Sequence, residues 1–164
     1  MLDQCAAFVR GIPGSTYSVE SETLKGGTIG KHVRHTLDHY RAALASGSGL
    51  VIDYDRRDRE VPMETQPEEA LRAIESLRQQ VLALDHADLA AQVRIRVMVS
   101  GDGIETELES TLARELAFVT HHAVHHHAML GAMAREHGVI VGSEFGKAPS
   151  TVNHESTGKA AALR

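Results

Sequence analysis

The sequence has little cysteine, few aromatics and no long apolar run, and each shortage removes a class of protein. Cys5 is the only cysteine in 164 residues, so no internal disulfide framework can form and a secreted, cross-linked scaffold is excluded. No stretch approaches the roughly 20 apolar residues that a membrane span needs. The N-terminus, Met1 to Cys5, carries Asp3 where a secretory leader carries basic residues. These features predict a cytoplasmic protein with no membrane partner. Aromatics make up 4% of the chain and the formal net charge is -5. No Lys/Arg stripe interleaved with aromatics offsets that repulsion, so nucleic acid is not an expected partner. No repeat at solenoid periods is present.

Hydrophobic residues at 42% and charged residues at 24% suit a globular chain, and its length suits one domain over residues 1–164. Histidine is the one excess. There are 11, and eight of them fall in the windows Lys31 to His39 and His121 to His127. The second window is internal and interrupted by Ala123 and Val124, unlike an expression tag.

Leu2 to Val9 predict a first helix, ended by Gly11, Pro13 and Gly14. Thr28 is a plausible N-cap for a second, with Ile29, Val33, Leu37, Tyr40 and Leu44 at helical spacing until Gly47 and Gly49. From Gly49 to Thr65 the pattern is irregular and charged, which predicts a crossing loop. Pro67, Glu68 and Glu69 read as a first helical turn, opening a helix to about Leu84. Alternation at Val93, Ile95, Val97 and Val99, followed by Gly101-Asp102-Gly103, predicts a short hairpin. Ser110 is the expected cap of the longest helix, Thr111 to Glu136, with Gly138 as its stop. An extended tail follows from about 139. This order predicts an all-α four-helix bundle with a β-hairpin inserted before the last long helix.

In that last helix the apolar stripe is Leu112, Leu116, Val119, Ala123, Leu130 and Met133. At about 100° per residue, His126 lies roughly 40° from its centre and His122 roughly 80°, while His121 and His125 point away. Two imidazoles at i and i+4 stand one turn apart on one face and can reach a single ion. A third ligand has to come from another helix, and the second offers His32, His35 and His39. By periodicity His32 and His39 lie nearer the stripe of that helix than His35, which is about 160° away. A zincin is excluded, since its general-base Glu would follow the first His and Ala123 stands there.

The chain resembles the DinB/YfiT-like superfamily of bacterial four-helix-bundle metalloproteins, which is unrelated to the polymerase sharing the name. The likeness rests on Thr28-Ile29-Gly30-Lys31-His32-Val33-Arg34-His35-Thr36-Leu37-Asp38 and on His122-Ala123-Val124-His125-His126. One branch is also similar in Tyr54-Asp55-Arg56-Arg57-Asp58-Arg59, Glu64-Thr65, Arg114-Glu115-Leu116 and Phe145 to Thr151. The resemblance implies His35, His122 and His126 as metal ligands, because His35 precedes Asp38 as in the family's His-x-x-Asp. It also implies a homodimer. His127-Ala128-Met129 stands where many relatives carry Arg-Gly-Gln, so the resemblance implies no specific activity of the thiol-dependent transferases or isomerases among them.

Three neutral imidazoles would leave open positions on a divalent Zn, Ni or Fe ion, the arrangement of catalytic sites. The expected function is a metal-dependent enzyme, a hydrolase or thiol-linked transferase acting on a small molecule. The alternatives are a non-catalytic metal-binding or stress-response protein and, third, a cofactor-free dimerising module. His32, Asp38, His39, Glu115 and His125 are candidate supports for the ligands. Against this, Asp38 could simply be solvated and Glu115 could pair with an arginine.

Overall fold

The computed structural model describes residues 1–45, 51–56 and 60–162. Gly47 and Gly49, and Arg57 to Arg59 of the charged run, lie outside the described residues. The four expected helices are present as α1 (Leu2–Gly11), α3 (Ile29–Leu44), α4 (Pro67–Leu82) and α6 (Leu112–Glu136). Among the described residues, two short helices, α2 (Gly14–Tyr17) and α5 (His86–Ala90), and a C-terminal α7 (Pro149–Ala162) complete the helical set. None is long and apolar enough to cross a membrane.

The helices form where apolar residues recur at helical spacing and a cap is available. On α3 the hydroxyl of Thr28 accepts from the Lys31 amide at 3.1 Å, and Ile29, Val33, Leu37 and Tyr40 are buried. Pro67 opens α4, Glu68 and Glu69 occupy its first turn, and Ala70, Ile74 and Leu77 are buried. Helix α3 packs against both α6 and α4, and α1 packs against α4. Gly138 ends α6 with φ 73°, and the Val139 amide donates back to the Ala134 carbonyl at 2.8 Å.

Three details differ from expectation. The cap of α6 is Thr111, whose side chain accepts from Arg114 N, because Ser110 is spent on Glu115. The segment between α3 and α4 is not wholly irregular, for it holds β1 (Val51–Asp53) and a 3-10 turn at Pro62–Glu64. A three-residue strand shows no periodicity of its own, and its order comes from parallel pairing with β2 (Gln92–Met98), Ile52 opposite Ile95. The expected hairpin is β2 with β3 (Glu105–Thr111), antiparallel, with Ile95 opposite Leu108, so the sheet order is β1-β2-β3. Last, the stretch after 139 is no plain extended tail. Val139, Val141 and Phe145 pack on the core and α7 follows, a helix whose apolar residues have no one-sided pattern to announce it.

The hairpin matters to the long helix. Thr111 is both the last residue of β3 and the cap of α6, so the sheet fixes where α6 starts and which way its first turn faces. Buried Ile52, Val93 and Ile95 join this sheet to the core, and Arg94 and Arg96 both donate to Glu107 on its exposed face.

Candidate metal centre

The packing of α3 on α6 brings the two histidine windows together. His122 Nε2 lies 3.2 Å from His35 Nε2 and 3.0 Å from His126 Nε2. His126 Nδ1 lies 3.2 Å from His32 Nδ1. One ring nitrogen each from His35, His39 and His122 falls within 4.8 Å of the other two, close enough for these residues to hold a metal ion. His39 and His126 are buried, His32, His35 and His122 half-buried, and His121 and His125 exposed. The stripe in α6 thus orients its histidines as its period requires. On α3 the apolar stripe faces the core while the three histidines flank it along the seam with α6, which is why His35 reaches the cluster despite its angle.

The ring spacings test whether an ion fits. With metal–nitrogen bonds of about 2.0–2.1 Å, ligands at octahedral to tetrahedral angles place their nitrogens about 3.0–3.4 Å apart and their ring centres about 4.5–5.2 Å apart. The ring centres of His35 and His122 are 5.2 Å apart, those of His122 and His126 4.5 Å, and those of His35 and His126 4.4 Å. Ring spacings of this size are compatible with a metal ion.

Its electrostatics suit a cation as well. Burial, reinforced by the neighbouring rings of His35, His122, His32 and His125, pushes His126 down to about 2, so this imidazole stays neutral with a lone pair to give. Burial, with His125 nearby, also lowers His32.

Beside the cluster lies a polar anchor. Glu115 is fully buried and accepts from Tyr54 Oη at 2.8 Å, Ser110 Oγ at 2.5 Å and Arg114 Nη1 at 2.8 Å. Burial alone would raise its pKa, but these three donors outweigh it and hold the carboxyl below its ordinary value. Tyr54, in turn, is pushed strongly upward by burial and then by Glu115, and its ring stacks on His39 at 5.3 Å and 15°. Glu115 therefore pairs with an arginine and also reaches the histidines through Tyr54. Asp38 sits in a half-buried network in which Arg34 bonds it at 2.9 Å and Glu64 at 2.7 Å, with Arg41 3.5 Å away. It is neither simply solvated nor isolated. His125 stands at the edge, its ring centre 5.2 Å from that of His126 and 6.4 Å from that of His122.

Sequence reasoning allowed that the run from Tyr54 to Glu60 could close over the site, and Tyr54 does stack on His39, but it missed Phe118 as a neighbour of the cluster. Phe118 has its ring 5.9 Å from His122 and 5.3 Å from Tyr54. For Tyr54 the available signal was an aromatic within a run of charges; for Phe118 it was its place one turn before His122.

Fold and site together define a mostly helical protein with a small three-stranded sheet and a histidine cluster, suited to a metal ion, in the seam between two helices. The chain belongs to the DinB superfamily, whose family model matches residues 2–130. It is also 31% identical over 105 residues to FK506-binding protein 5 of Rhizopus delemar, a match covering 63% of this chain and 27% of that protein. The matched segment thus spans about a quarter of that relative's length.

Proposed function

We propose that His35, His122 and His126 hold one divalent transition metal, zinc, nickel or iron, and that the protein is a metal-dependent enzyme acting on a small molecule, as a hydrolase or thiol-linked transferase. The observation that supports this is the meeting of imidazoles from two helices, with His122 Nε2 3.2 Å from His35 Nε2 and 3.0 Å from His126 Nε2. The scaffold would be a four-helix bundle of α1, α3, α4 and α6, which is supported by the packing of α3 on α6 and α4 and of α1 on α4.

When bound, a divalent ion supplies Lewis acidity to a carbonyl, water or thiol beside it. The chain's own residues would do the rest. His35 fixes the ligand set from α3, while His122 and His126 are fixed one turn apart on α6. His32 Nδ1, 3.2 Å from His126 Nδ1, would accept a proton carried on His126 Nδ1 and so keep Nε2 of His126 as the donor atom. Tyr54, held by buried Glu115, and Phe118 wall the cluster on that side. Cys5 takes no part, because burial pushes its thiol up to about 12, where it is unreactive. A reducing, cytoplasmic setting is consistent with that single buried thiol.

A second reading, a non-catalytic metal-binding protein, is favoured by the number of imidazoles around the cluster, which exceeds what an open catalytic shell requires. Elemental analysis of untagged protein beside His35→Ala and His126→Ala tests the shared premise. One ion per chain in the parent and its loss in both variants is the expected result. A metal-free parent, or full occupancy in either variant, overturns the proposal.

A further inference from the structure

We infer that His39 supplies a fourth nitrogen to the ion, so that the resting shell is four imidazoles and an incoming ligand enters by displacing His39. This rests on the three-histidine reading above and refines its open position.

The chemistry of the ring carries the inference. His39 Nδ1 lies 3.0 Å from the His35 carbonyl oxygen, one turn back on α3. A carbonyl oxygen only accepts, so Nδ1 carries the proton and donates. The lone pair of neutral His39 is therefore on Nε2, the tautomer a metal ligand needs. A ring nitrogen of His39 is within 4.8 Å of those of His35 and His122, whereas nitrogens that share one ion at tetrahedral angles are about 3.4 Å apart, so the rings would close up around an ion as it enters.

The ring is also held in place. His122 stacks on one side with ring centres 4.0 Å apart, and Tyr54 stacks at 5.3 Å. Tyr54 is tethered through its hydroxyl to Glu115, and His39 is 7% exposed. An aromatic plate alone would need no nitrogen at position 39; an imidazole with its proton committed to the backbone has one to offer.

The test uses full-length protein loaded with zinc or cobalt(II). X-ray absorption at the zinc edge of the unaltered protein should count four imidazoles; three would overturn the inference. In the cobalt protein, His39→Phe keeps a ring in the stack but removes the nitrogen, and His39→Ala removes both. Both variants should retain one cobalt per chain, show altered visible d–d bands and bind azide at least tenfold more tightly than the parent. Unchanged bands and unchanged azide affinity in both variants would overturn the fourth ligand and leave the three-histidine site standing. Failure of the parent to take up either ion would instead sink both.

Discussion

Adjacent residues on α6 place two imidazoles in opposite company. His126 turns toward α3, its ring 5.4 Å from His32, 4.4 Å from His35 and 4.5 Å from His122. His127, about 100° further round the helix, stacks on Phe145 at 4.9 Å, and its Nδ1 lies 2.9 Å from Gln4 Oε1. Of the two, His127 is the more buried, at 0% exposure against 7%. Burial therefore does not mark membership of the cluster. Ring nitrogens that face other ring nitrogens across a helix seam do, whereas a single buried ring on an apolar wall is a packing element with one polar tether.

Removing a ring on each side should separate the two roles. His122→Ala deletes the ring whose Nε2 is near those of both His35 and His126. Its affinity for zinc should fall by at least ~100-fold, with one ligand and its neighbours' geometry lost together, as read by competition with a chelator. His127→Ala should keep full zinc occupancy and instead lose roughly 3 kcal/mol of stability, the cost of emptying a buried ring site, or a Tm lower by about 6–12 °C. Zinc loss in the second variant would break the comparison. The segment covering His127 offers a matching test. Gly146 has φ 77°, and a Cβ there would meet Ala128 N at 2.5 Å, a backbone contact that cannot yield. Gly146→Ala should destabilise by about 2–4 kcal/mol with zinc retained.

Acid should also separate the two rings. Burial, and then the charge of the N-terminus, lowers His127 to about 4 from 6.5. The unfolded chain thus binds the extra proton between those values, so stability is complete above pH 6.5 and is lost as the pH falls toward 4. Urea titrations of chelator-treated protein at pH 7 and pH 4.5 should show about 2–3 kcal/mol more acid destabilisation in the parent than in His127→Phe, at 1.36 kcal/mol per unit. Equal pH responses would mean that protonated His127 reaches a hydrogen-bond acceptor or solvent in its folded setting.

Legibility followed the length of the pattern. Helices α3, α4 and α6 were readable because each carries several turns of an apolar period, and the hairpin because Val93, Ile95 and Val97 alternate. Strand β1 was not, since three residues hold no period and Ile52 is ordered by Ile95 across the chain. Helix α7 escaped because its residues follow no apolar stripe. At the site, the period of α6 pointed His122 and His126 inward. His35 came from its resemblance to a family motif, because a one-helix period finds the core side of α3 and not the neighbour along its edge. Tyr54 reaches His39 from a segment between β1 and the 3-10 turn, and no local pattern says what such a segment lies across.

Smaller effects probe the edges of the cluster. Tyr54→Phe keeps the ring on His39 but takes one of three donors from buried Glu115. It should cost about 1–2 kcal/mol in denaturant titrations with zinc affinity within ~10-fold of the parent. His125→Ala should do least. His125 is exposed, with its ring 5.2 Å from His126 and 6.4 Å from His122, at the outer rim of the cluster. Stability should stay within about 0.5 kcal/mol and zinc affinity within about threefold, since losing a ligand-supporting hydrogen bond would cost more. A tenfold loss in the same chelator competition would make the exposed rim part of the site. The dividing line on α6 would then run between buried and exposed faces, and not between residues 126 and 127.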